Sequence, residues 1–149
     1  MLLKEACTAG VVCCGTQTTA LQAASLMRHN HVGDLVVLDD PQDEKIPLGI
    51  VTDRDIVVEV LGNELDPATT TVGSLMRKPV VIAHESEDTT EVLQRMRTHG
   101  VRRLPVVAHK GEIVGIITLD DLLRLIVADA RALLDIMNKE QVNEQHARR

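Results

Sequence analysis

The chain contains no Phe, Tyr or Trp in 149 residues. Without a ring it cannot stack a nucleobase or cage a cation against an aromatic face. Any base it holds must lie in an aliphatic slot and be read by backbone groups. Cysteine is scarce as well: Cys7, Cys13 and Cys14 are the only three. An odd number, two of them adjacent, argues against a disulfide framework and fits a reducing cytoplasm. No apolar run reaches the roughly 18 residues that span a bilayer. Met1-Leu2-Leu3-Lys4-Glu5 is too short and too acidic for a secretory signal. Basic residues are outnumbered, 16 against 22 acidic, which disfavours nucleic acid and anionic membrane surfaces as partners.

Chemistry-bearing motifs are also missing. No phosphate loop of the Gly-Lys-Ser/Thr kind occurs, and no nucleophile elbow. Cys13 and Cys14 are consecutive on an expected strand, so their side chains face opposite ways and cannot grip one ion. His29, His31, His84, His99, His109 and His146 show no metal-ligand spacing on a helix face. Surface or capping positions suit them better. With no partnered nucleophile and no metal set, the sequence reads as a binding module, not an enzyme.

What the chain does contain is a phrase written twice. Gly49-Ile50-Val51-Thr52-Asp53-Arg54-Asp55-Ile56 returns as Gly115-Ile116-Ile117-Thr118-Leu119-Asp120-Asp121-Leu122. Around it, Val11-Val12-Cys13-Cys14 matches Val80-Val81-Ile82-Ala83, an offset of 69 residues, and Met27-Arg28 matches Met96-Arg97 at the same offset. Val32-Gly33-Asp34-Leu35 likewise matches Val101-Arg102-Arg103-Leu104. The phrases themselves lie 66 apart, so the first half carries three extra residues, placed within Asp39–Lys45. A charged turn tolerates such an insertion.

Each half reads as β-α-β-β-α. The expected strands are Val11–Cys14, Leu35–Leu38 and Leu48–Val51, then Val80–Ala83, Leu104–Val107 and Ile113–Ile117. Closing helices run from Asp53 to Leu61 and from Leu119 onward, and Thr71 is placed to cap a short helix reaching Met76. One strand plus a hairpin is a poor sheet by itself. The expected fold is therefore α+β, two repeats packed pseudo-symmetrically into one module. The expected divisions are 4–62, a linker with a short helix at 63–75, a second domain at 76–137, and a polar, fraying tail at 138–149. Leu122, Ile126, Ala130, Leu133 and Met137 form an apolar stripe that outruns the second domain and suits a dimer contact.

These residues resemble a tandem pair of CBS domains, the Bateman module, over roughly Lys4 to Val127. The resemblance rests on the two Gly-x-x-Thr-x-x-Asp phrases and on Val101-Arg102-Arg103-Leu104-Pro105-Val106. It implies two clefts that bind adenine-containing ligands such as AMP, ADP, ATP, NAD or S-adenosylmethionine, with AMP favoured. It further implies homodimers and the regulation of a separate enzyme or transporter. Ribose and phosphate contacts carry over to Thr52 with Asp55, to Thr118 with Asp121, and to Arg102 and Arg103. Arg54, beside Asp55, joins them on its charge. Val11, Val12, Cys13, Val80, Val81 and Ile82 are the expected base wall.

The phrase has a plainer explanation too. Thr at a strand end and an acid three residues later make a capping box, which needs no ligand. A carboxylate there can also accept the two hydroxyls of a ribose, and a helix N-terminus favours phosphate nearby. The two clefts are not expected to be equal. Asp55, Arg54, Arg102 and Arg103 make a phosphate-friendly set, while Asp121, Asp120 and Asp34 make an acidic one. The Asp55 cleft is expected to bind more tightly. A ligand-free scaffold and the regulatory subunit of an enzyme remain the alternatives.

Overall fold

The computed structural model describes residues 3–39 and 45–148. Asp40 to Glu44, most of the expected insertion, lie outside them. The first half runs α1 (Leu3–Ala6), β1 (Cys13–Gly15), α2 (Ala20–Asn30), β2 (Asp34–Leu38), β3 (Pro47–Thr52) and α3 (Asp53–Asp55). The second repeats it as α4 (Val72–Leu75), β4 (Ala83–His84), α5 (Thr89–His99), β5 (Arg103–Val107), β6 (Ile113–Thr118) and α6 (Leu119–Ala147). Each half builds its own three-stranded sheet, with orders β1-β2-β3 and β4-β5-β6. The first pair in each is parallel and the second antiparallel. Even the irregularity is duplicated: register shifts at Val37/Leu38 and again at Val106/Val107.

Local chemistry explains the elements. Thr19 caps α2 and Asp88 caps α5, each in a box with the residue three later, Gln22 or Glu91. The Thr90 backbone N–H holds the Asp88 carboxyl down at about 2. Helix α2 ends at His31 in the left-handed region, φ 54°, and α5 ends at Gly100, φ 62°. Alternation along β3 buries Pro47, Gly49 and Val51 and turns Ile50 and Thr52 outward.

The two cores exchange their leading segments. Val72 and Met76, which open the second half, pack with Leu35, Val37 and Val51 of the first. Leu3, from the start of the chain, packs with Leu104, Val106 and Ile117 of the second. Backbone bridges fix both exchanges, Ile50 to Arg77 and Thr8 to Ile116. Gly49 and Gly115 make room for them. A Cβ on Gly49 would lie 3.1 Å from the Arg77 carbonyl, and one on Gly115 3.0 Å from that of Thr8. The packing thus crosses the divisions drawn at 4–62 and 76–137.

Other expectations shift in detail. The first strands are shorter than expected, beginning at Cys13 and Ala83. Thr71 stands at the N-cap of α4 but its side chain makes no capping bond. After α3 the chain widens into a π-helix over Ile56–Leu61, closed by Gly62 N–H to the Val57 carbonyl. Ile56, Val57, Val58 and Val60 are all β-branched and crowd an ordinary α turn. Instead of fraying after Met137, α6 continues helical to Ala147.

Candidate functional site

The duplicated phrase builds the same cap at both places. Thr52 Oγ1 accepts the Asp55 N–H at 3.1 Å, and Asp55 Oδ2 accepts the Thr52 N–H at 2.9 Å. Thr118 and Asp121 do the same at 3.2 and 3.0 Å. The capping role is therefore real in both copies. It also consumes one oxygen of each carboxylate. Asp55 Oδ1 remains, with Arg77 Nε 3.8 Å away. Asp55 is the one buried charged side chain among the described residues, 7% exposed.

Asp55 opens onto a cavity of about 340 Å³ lined by both halves. Thr52, Arg54 and Asp55 come from the end of β3 and the turn after it; Val80, Val81, Arg102 and Arg103 come from the second half. Seven residues picked from the sequence thus meet at one site. Ile50, Asp53, Arg77, Pro79, Gly100 and Val101 complete the wall without having been picked. Arg77 matters most among them, because it brings a fourth arginine to the wall and ion-pairs Asp55. Its trace in the sequence was the basic pair Arg77-Lys78 immediately ahead of Pro79.

Val11, Val12, Cys13, Thr118 and Asp121 do not line this cavity. By the repeat they are the counterparts of Val80, Val81, Ile82, Thr52 and Asp55, split between the two halves. Ile82 does not line it either; its carbonyl accepts Arg95 Nη1 at 2.8 Å, which ties the residue before β4 to α5. Burial pushes the thiols of Cys7 and Cys13 up and that of Cys14 to about 11. Un-ionised thiols are weak nucleophiles and weak metal ligands.

The expected split into a basic and an acidic set needs one amendment. Arg102 and Arg103 line the Asp55 cavity, yet they ion-pair with acids of the other set. Arg102 Nη2 lies 3.7 Å from Asp120, and Arg103 Nη1 pairs with Asp34. Asp121 has Arg124 at 3.7 Å, three residues along its own helix. Arg103 and Asp34 join the halves across the seam, while Arg102 and Asp120 pair within the second half, so the two sets are not electrically separate.

A family model for the CBS domain matches the chain twice, over residues 3–62 and 72–128, and the chain belongs to the CBS-domain family. Hypoxic response protein 1 of Mycobacterium tuberculosis is 37% identical over 121 residues, covering 81% of this chain and 82% of that protein. A crystal structure of hypoxic response protein I with two coordinated zinc ions has a TM-score of 0.73 at 35% identity, covering 83% of this chain and 98% of its own. An uncharacterized protein of Methanopyrus kandleri is 34% identical over 107 residues, or 72% of this chain. The matched part is 53% of that relative, so the chain spans about half its length. A CBS domain protein from Pyrobaculum aerophilum complexed with AMP shares the fold, with a TM-score of 0.73 at 23% identity over 81% of this chain and 89% of its own. Among the described residues here, no group of three or more His, Cys, Asp and Glu is placed to hold a metal ion. No described helix is long and apolar enough to cross a membrane.

Proposed function

We propose that the Asp55 cavity binds a phosphorylated adenosine, AMP foremost, and that the protein reports it to a partner by changing shape, without chemistry. The observation that carries this reading is a carboxylate whose second oxygen lies outside the cap, beside Arg77, on a cavity that holds four arginines. Asp55 Oδ1 would receive the ribose hydroxyls, and Thr52 would hold the carboxylate in place through the cap. Arg54, Arg102 and Arg103 would receive the phosphate, for which guanidinium geometry is suited. Val80 and Val81 supply the aliphatic wall for the base. A volume of about 340 Å³ stands near the lower end of small-molecule sites, which favours a mononucleotide over a dinucleotide such as NAD.

Thr118 and Asp121, with Val11, Val12 and Cys13, would form a second and weaker adenosine site. Its pseudo-equivalent positions hold three aspartates and no arginine, which suits a ligand with less negative charge, such as S-adenosylmethionine. The protein's own effect would be exerted in the cytoplasm on a separate enzyme or transporter.

A second copy of the chain is the proposed cover for the stripe on α6. Leu122 is buried in its own half, but Ile126, Leu133 and Met137 are 53%, 64% and 57% exposed. Repeats of four, three and four residues suit helix-to-helix packing. Replacing Ile126 and Leu133 by Lys should convert a dimer to a monomer in analytical ultracentrifugation.

A melting screen with AMP, ADP, ATP, NAD and S-adenosylmethionine tests the ligand. Saturation a hundredfold above the dissociation constant adds about 2.7 kcal/mol of stability, a shift of several degrees for a domain of this size. AMP should give the largest shift. If none of the five moves the transition, the reading fails and the ligand-free scaffold replaces it. That rival draws on Arg77, Arg102 and Arg103, each of which already has an internal partner.

A further inference from the structure

Asp34 and Arg103 stand 69 residues apart, the same offset that relates the two halves of the chain. They are therefore equivalent positions, and their side chains meet across the seam. Equivalent side chains touch only near the axis relating two repeats. A faithful repeat would press two like charges together there. This chain instead holds an anion against a cation, and both are largely covered, with side chains 17% and 34% exposed.

Arg103 has two claims on it. It lines the Asp55 cavity, while Asp34 does not. Asp34 lies directly across the sheet from Thr52 in the β2–β3 register, so the ion pair is anchored beside the cap. A guanidinium has five donors but one unit of charge. A phosphate monoester near pH 7 carries about −1.5 to −2 and three acceptor oxygens. A carboxylate carries −1 and two. A phosphate brought in by its ribose and base would therefore draw Arg103 away from Asp34. Unphosphorylated adenosine has nothing to compete with.

We infer that Asp34 is a specificity-determining residue that acts from outside the cleft, as a resident anion that the ligand's phosphate must displace from Arg103. The inference rests on the adenosine-phosphate reading of the cavity and adds to it a division of labour. Base and ribose give residence, and phosphate alone opens the seam. AMP and adenosine then occupy the same cleft but leave the two halves differently joined. Arg102 and Asp120 form a lesser version of the same device. Their side chains are 72% and 68% exposed, so solvent screens the pair and its loss matters little.

Calorimetric titration of AMP and of adenosine into the wild type, Asp34→Asn and Asp120→Asn provides the test. Asp34→Asn should tighten AMP by about three- to tenfold and leave adenosine within about twofold. Asp120→Asn should tighten AMP by less than about twofold. Should the asparagine variant fold poorly, Asp34→Ser carries the same expectation. Unchanged AMP affinity in the Asp34 variants overturns competition. Weakened AMP binding overturns it too, and makes Asp34 a positioning residue for Arg103. Equal tightening of adenosine overturns the claim that phosphate is the competitor. If the wild type binds neither ligand, the reading of the cavity falls and the inference with it. Binding of both with no Asp34 effect removes the inference alone.

Discussion

The surroundings of Asp55 and of Asp121 differ far more than the two residues themselves. Both carboxylates close a capping box with the Thr three residues earlier, at distances that agree within about 0.1 Å. Both keep a cation near the second oxygen. At Asp55 that cation is Arg77, delivered by the segment that enters from between the halves. At Asp121 it is Arg124, from the next turn of the same helix. Four arginines and two aspartates line the Asp55 cavity. The repeat-equivalent positions hold Asp34, Asp120 and Asp121 with no arginine. Identical backbone plans can thus present opposite charge, because capping fixes only Thr and Asp and leaves their neighbours free to diverge.

The sharpest way to break the comparison is to remove each acid in turn. Asp55→Ala should weaken AMP about ten- to a hundredfold, the value of a charged hydrogen-bonding group. Asp121→Ala should change it less than about twofold. Equal losses by calorimetry would make the clefts alike in function as well as in plan. Alanine at Gly49 or Gly115 comes next, since each added methyl meets a backbone carbonyl at about 3 Å. Each should cost about 1–3 kcal/mol in urea unfolding. Gly49→Ala should also weaken AMP, because the displaced carbonyl belongs to Arg77; Gly115→Ala should not.

Asp34→Arg restores like charges at the seam and should destabilise by about 1–2 kcal/mol. An unchanged urea midpoint would mean that Arg103 finds another partner without cost. The smallest effect is the symmetric one. Thr52→Ala and Thr118→Ala should each cost about 1 kcal/mol as lost caps. Only Thr52→Ala should reduce AMP affinity, and a matching loss in the Thr118 variant would erase the distinction between cap and site.

Much of this was legible along the chain because it is local. Gly-x-x-Thr-x-x-Asp specifies a strand, a cap and a helix start within seven residues, and its recurrence sets the repeat. The Arg54/Asp120 contrast likewise needs only alignment. Arg77 lies in neither phrase, and only the exchange of leading segments carries it to Asp55. The pair Arg103–Asp34 divides between opposite sets for a related reason. Sequence offset shows that two positions are equivalent, but not that the equivalent side chains meet. The tail differs for another reason. Polarity alone suggests fraying, whereas Lys139, Glu140, Gln141 and Glu144 are good helix formers, and Arg148 pairs with Glu144 at 3.7 Å. A helix can be well formed with nothing to bury.

The exchange of leading segments has a consequence for concentration. Either half made alone would lack the apolar plug that fills its core, Leu3 in one case and Val72 with Met76 in the other. Two copies of one half could plug each other, but only when they met. Joining the halves in one chain places each plug at an effective concentration in the millimolar range for short tethers, independent of how dilute the protein is. Folding of the shared seam therefore does not depend on expression level.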